Sequence, residues 1–143
     1  MAVYPVHNLV FEIATDGRDG ASFAPIADLE SFEVSIDGNV EEWTPMDQGG
    51  WTRRLMTGKS LSVSVSGKRN YGDPGNDYVA SMDMVTGLDA NSVLKITFPD
   101  GSTLEMACVI HTGSTAGGSA TDVNALEAEF LSDGNPNYTE ATP

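Results

Sequence analysis

Apolar and polar residues alternate most cleanly between Ser60 and Ser66, where Leu61, Val63 and Val65 are separated by Ser60, Ser62, Ser64 and Ser66. A two-residue period is that of a strand with one buried and one wet face. The same period predicts a strand through Leu9, Phe11 and Ile13, and another through Phe32, Val34 and Ile36, which Asp37-Gly38 closes with a turn dipeptide. Val93–Phe98 and the run Leu104, Met106, Cys108, Ile110, joined by Pro99-Asp100-Gly101, read as a hairpin. A last strand sets Leu126, Ala128 and Phe130 on one face and Glu127, Glu129 and Leu131 on the other, before the turn SDGNP.

One segment changes period. Tyr78, Met82 and Val85, with Val79 beside them, recur at helical spacing. Asp73 is placed to cap this helix, Pro74 fits its first position, and Gly87 is a stop, which predicts about three turns over Asp73–Thr86. The stretch Gly67 to Gly72 carries the chain off the preceding strand. The glycine-rich loop HTGSTAGGSATD is expected to be mobile, or ordered only by a partner. Asn39–Gly58 fits neither period, yet holds Trp43 and Trp51, which are costly to leave in a disordered loop; it reads as a long hairpin arm. The sum is six or seven strands and one helix: a mainly β (α+β) sandwich or barrel with a flanking helix and an arm.

The 143 residues suit a single domain, 1–143, and 40% apolar with 20% charged residues is a folded composition. No window approaches the roughly 18 apolar residues of a membrane span, and no signal peptide opens the chain, so a soluble, intracellularly made protein with no membrane association is expected. Cys108 is the sole cysteine, which excludes an internal disulfide and a cysteine zinc cluster.

Charge sharpens the picture. The net charge is −14, with ten acids and one base in residues 1–50, five acids and six bases in 51–100, and six acids and no base in 101–143. Such a field disfavours nucleic-acid binding through phosphate neutralisation. It suits either plain solubility or a wall to which DNA does not stick.

Candidate chemistry is thin. His7 and His111 lack companions at ligand spacing, and no GxSxG elbow is present. DGRDG at Asp16–Gly20 lacks the rest of a calcium loop and reads as a turn. Pairs such as Glu41-Glu42 or Glu127 and Glu129 arise by chance in so acidic a chain, and Gly58-Lys59-Ser60 only echoes the end of a phosphate loop. No catalytic residue, cofactor or metal is expected, and the chain is read as no enzyme. Trp51, Arg53, Arg54, Leu55 and Met56, followed by Lys59, are instead residue types that dominate protein interfaces. Either such a basic, aromatic arm docks on an acidic face of a second copy, or Trp43 and Trp51 fold back over their own core. A ligand-binding sandwich such as a carbohydrate-binding module, using both tryptophans, is the competing class.

These residues also carry a resemblance. GGWTRRLMTGKSLSVSVSGKR from Gly49, followed by GDPGNDYVA to Ala80, resembles the tail tube (major tail) proteins of long-tailed bacteriophages, especially those of Gram-positive hosts. The ending from Ala128 to Pro136 resembles the closing strand and turn of that family. The likeness spans the chain and lies in the order of its parts: W-x-R-R, T-G-K-S, the serine strand, G-D-x-G-N-D, one helix, F-x-x-D-G-x-P. It implies a β-sandwich with one helix, related to contractile-tail and type VI secretion tubes. It further implies a structural subunit of hexameric rings stacked into a hollow tube through which DNA passes without specific binding.

In that family subunit sheets join into an inner barrel and a hairpin arm reaches between subunits. By position the arm is Asn39–Gly58, so the resemblance casts Trp43, Trp51, Arg53, Arg54, Leu55, Met56 and Lys59 as inter-subunit residues. Ser62, Ser64, Glu33, Glu105, Glu127 and Glu129 are the candidates to face the lumen. The implied partners are further copies of the chain, a tape-measure protein and tail-completion proteins. The implied location is the virion tail, assembled in the host cytoplasm, and the short chain leaves no room for the additional immunoglobulin-like domain of some members.

Overall fold

The structure, a computed structural model, describes residues 3–18 and 22–140. Eight strands form one antiparallel sheet: β1 (Val10–Ala14), β2 (Phe23–Pro25), β3 (Leu29–Trp43), β4 (Arg53–Lys68), β5 (Asn91–Thr97), β6 (Thr103–Ser114), β7 (Ala125–Ser132) and β8 (Asn137–Thr139). The order across it is β2-β1-β5-β6-β7-β4-β3, with β8 paired to the lower part of β6. The fold is therefore mainly β with one helix, as the alternation predicts. The sandwich is a single sheet curled on itself: Phe11 of β1 and Phe32 of β3, separated by four strands, meet edge to face with ring centroids 4.9 Å apart. Between the curled layers lie Ile13, Val63, Val65, Leu94, Ile96, Met106, Cys108, Leu126 and Phe130, all buried.

The helix α1 (Pro74–Ser81) closes one side of this core with Val79 and Ala80. Asp73 caps it as predicted, its Oδ2 accepting from Asn76 N at 3.0 Å and also from Ala27 N at 3.1 Å. The helix is shorter than the expected Asp73–Thr86, tightening into a 3-10 turn at Met82–Met84. Ser81 Oγ donates to the Tyr78 carbonyl at 2.6 Å, the kind of local side-chain bond that competes with helical continuation.

The joint after the serine strand is a clasp. Asn76 is fully buried and uses every polar atom it has. Its Nδ2 donates to the carbonyls of Ala27 and Lys68, and its Oδ1 accepts from Asn70 N and Arg69 Nη1, all at 2.9–3.0 Å. Arg69 adds bonds to Asn70 O and to Asp77 Oδ1, and stacks over Tyr71 at 4.3 Å. Two glycines admit the backbone that this clasp holds: a Cβ on Gly67 would overlap the Asp28 carbonyl oxygen, and one on Gly75 would overlap that of Pro25. The basic pair of the joint is thus structural on one side, with Lys68 reaching Glu30 at 3.5 Å.

Three further departures have clear causes. Asp37-Gly38 is no turn: it lies inside β3, Gly38 pairing with Lys59, because a long partner strand supplies the ladder. Gly38 also makes room for Met56, whose Sδ would stand 2.9 Å from a Cβ at that position. The strand read as ending at Ile110 continues to Ser114, with a register shift between Thr112 and Ser114, so His111–Ser114 are strand rather than loop. The strands β2 and β8, three residues each, are too short to show a period. The turn read at Asp16–Gly20 falls in part on residues 19–20, outside the described residues.

Candidate assembly arm and polar sheet face

The arm is the continuation of β3 and β4 beyond the sheet. β4 pairs with β7 only from Ser62 to Lys68, whereas it pairs with β3 from Arg53 to Gly67. From Asp37 outward the hairpin has no third strand among the described residues. Seven residues, Asp37–Trp43, at roughly 3.3 Å each carry it some 20 Å outward before the tip, which turns through a 3-10 segment at Met46–Gln48 and two positive-φ glycines, Gly49 and Gly50.

Neither tryptophan folds back onto the core. Trp51 at the tip is 78% exposed, Trp43 43%, Leu55 59% and Met56 49%. The ribbon has two faces, set by register. Glu41 opposite Leu55 and Trp43 opposite Arg53 share one, with the Arg53 guanidinium 5.7 Å from the Trp43 ring centroid. Val40 opposite Met56 and Glu42 opposite Arg54 share the other, with Arg54 Nε 2.8 Å from Glu42 Oε1. The arm is therefore less basic than the cluster of arginines in the sequence suggests: the cationic limb lies beside an anionic one, which already engages Arg54. Lys59, nearer the root, has no carboxylate within ion-pair distance among the described residues.

All six polar candidates lie on the sheet face opposite the core. Pairing aligns Glu33, Ser64, Glu129 and His111 in one row across four strands, Ser35, Ser62, Leu131 and Val109 in the next, and Ser31, Ser66, Glu127 and Ser114 in a third. Glu105 shares the face at a distance along β6, in register with Lys95, which has Glu12 on its other side. Together Glu33, Ser64, Ser66, His111, Glu127 and Glu129 line a shallow open groove that contains no tryptophan. His111 belongs to this surface although the alternation of apolar residues stops at Ile110, one residue before it.

The row Ser64–Glu129–His111 is not a nucleophilic triad. A base must touch the hydroxyl it activates, and here the carboxylate intervenes, leaving serine and imidazole two strand spacings, about 10 Å, apart. Among the described residues no group of three or more His, Cys, Asp or Glu is placed to hold a metal ion. No described helix is long and apolar enough to cross a membrane. Cys108 is buried, and that burial pushes its thiol up to about 12, against the opposing pull of the Arg18 guanidinium.

No protein-family model matches the chain, and no curated protein matches it. Solved structures do. A chain in the tail of an empty gene transfer agent particle, refined helically with C6 symmetry, superposes with a TM-score of 0.73 at 19% identity, over 96% of this chain and 100% of its own. A chain of the native gene transfer agent virion gives 0.72 at 18%, with the same coverage of both chains. A chain of the six-fold symmetrised anti-feeding prophage baseplate gives 0.59 at 13% over the whole of both chains. At these identities the likeness establishes fold: the chain has the fold found in tail and baseplate components of phage-like particles.

Proposed function

We propose that this chain is a structural subunit of a phage-like tail, which joins further copies of itself into hexameric rings that stack as a hollow tube for DNA. The observation that carries the reading is the hairpin that leaves its own sheet with Trp51 and Leu55 mostly in water and Trp43 and Met56 nearly half so. A two-stranded ribbon is marginal by itself, and interface-type side chains along it gain by burial against a neighbour.

The sheet supports the same conclusion. Among the described residues the outer edge of β3 runs fifteen residues, Leu29–Trp43, without a partner strand, and β2 leaves a second edge at the other end of the order. Long free edges invite pairing, and joining them between copies removes both at once. The polar face then becomes the inner wall, with Glu33, Ser62, Ser64, Glu105, Glu127 and Glu129 hydrating it. Repeated around a ring, those carboxylates repel DNA phosphates over about one Debye length, ~8 Å at physiological salt, so the duplex slides rather than binds. No catalysis or cofactor takes part. The other partners in this reading are a tape-measure protein and tail-completion proteins, in a particle assembled in the host cytoplasm.

Electron microscopy of the purified chain tests the proposal: rings or hollow tubes are expected as concentration rises or when a tail-initiating complex is added. Compact monomers under both conditions would contradict it. The related likeness to a gene transfer agent tail with C6 symmetry is what makes six the expected number.

A further inference from the structure

We propose that the groove at the root of the arm is the seat for the arm tip of a second copy, an inference that rests on the assembly reading above. Where β7 ends, the apolar face of the sheet runs on uncovered. Ile36, 65% exposed, and its register partner Leu61 form a floor, and the turn through Asn135 and Pro136 forms a wall. The groove holds about 410 Å³, within the range of pockets that enclose a small ligand and ample for one indole. Its only charged lining residue is Lys59.

The tip is the complement of that groove. Thr44–Thr52 carries one formal charge, Asp47, together with Met46, fully exposed, and Trp51, mostly exposed. Other concavities suit it worse. The sheet-face groove presents Glu33, Glu127 and Glu129, the cleft beside the N-terminal turn presents Asp28 and Glu30, the hollow beside Arg18 presents Asp16 and Asp89, and the one farther out on the ribbon presents Asp37, so each would set carboxylates against Asp47. Only a cation beside apolar surface satisfies both the charge and the indole. The tip cannot reach its own root, which lies some 20 Å back along the ribbon, so the contact joins different molecules. One copy offers its tip and receives another's at its root. That is a heterologous contact, which propagates until a ring closes or a filament grows.

Two readouts on the full chain test this. Gln48→Cys at the tip and Asn135→Cys at the groove rim, combined in one chain, place exposed thiols on the two surfaces, while Cys108 stays buried. A short bismaleimide added to assembled material should then give a covalent ladder of multimers in denaturing gels, with neither single variant extending beyond dimers. In parallel, Lys59→Glu and Asp47→Lys should each raise the concentration needed for assembly about tenfold, and the double variant should restore it. Tubes that form without a ladder, with the two charge reversals merely additive, would overturn the docking and leave the assembly reading standing. Wild-type chains that never associate would overturn both.

Discussion

Removing the Trp51 side chain separates what the arm does for the monomer from what it does for the assembly. In the lone chain Trp51 is 78% exposed, so Trp51→Ala gives up little burial and should move the monomer's unfolding free energy by no more than about 0.5 kcal/mol. In the proposed assembly the exposed fraction would be covered. A tryptophan presents roughly 200 Å², of which 78% is about 155 Å². At about 25 cal/mol per Å² this is near 4 kcal/mol. Ordering the side chain takes back about 1 kcal/mol, leaving roughly 3 kcal/mol per contact. At 1.4 kcal/mol per decade, the critical concentration for assembly should rise about a hundredfold. Sedimentation of serial dilutions reads the second number, and urea titration followed by far-ultraviolet circular dichroism reads the first. An unchanged critical concentration, or a monomer that loses several kcal/mol, would refute the reasoning, the latter by making Trp51 part of the core.

The remaining predictions concern the body of the fold. Asn76→Ala strands the carbonyls of Ala27 and Lys68 and the amide of Asn70; all three are part-buried, so each should cost near the lower end of about 1–3 kcal/mol, roughly 3 kcal/mol together in urea unfolding. Gly67→Ala forces the Asp28 backbone aside and should cost at least about 1–3 kcal/mol by the same measurement, whereas alanine at the open, negative-φ position Gly117 should cost nothing measurable. Cys108 should resist alkylation in the native chain at pH 8 and react fully in urea. Between pH 9 and about 12 the unfolded thiol is ionised while the folded one keeps its proton, so stability falls with rising pH; Cys108→Ala should lessen that slope by up to about 1.4 kcal/mol per unit.

Where burial is decided locally by alternation, the sequence is a good guide. Leu61–Val65, Leu126–Phe130 and Phe11–Ile13 are strands whose faces follow from the period, and the cap at Asp73 follows from a single side chain. The arm is legible as a hairpin because two tryptophans and a run of strand formers sit outside any regular core pattern. What escaped depends on contacts distant in sequence. Asn76 is an ordinary polar helix residue until Ala27 and Lys68 surround it, and Gly67 and Gly75 resemble flexible links until the Pro25–Asp28 backbone presses against them. Asp37-Gly38 has the composition of a turn, but β4 lies opposite and overrides it. The exposure of Trp51 was undecidable from the chain, since a core tryptophan and an interface tryptophan have the same letter. The six polar candidates all fall on one face because each alternates with apolar neighbours, and alternation is what the sheet obeys.

In the proposed assembly this fold is completed by its own copies, which cover the arm and the free edges of the sheet. A cryo-electron microscopy map of assembled wild-type chain tests it most directly. Six-fold rings are expected, in which each arm is buried against other copies, the β3 edge is paired across a subunit boundary, and Glu33, Ser64 and Glu129 face a central channel. A map with the arms in solvent, or with those carboxylates turned outward, would contradict it.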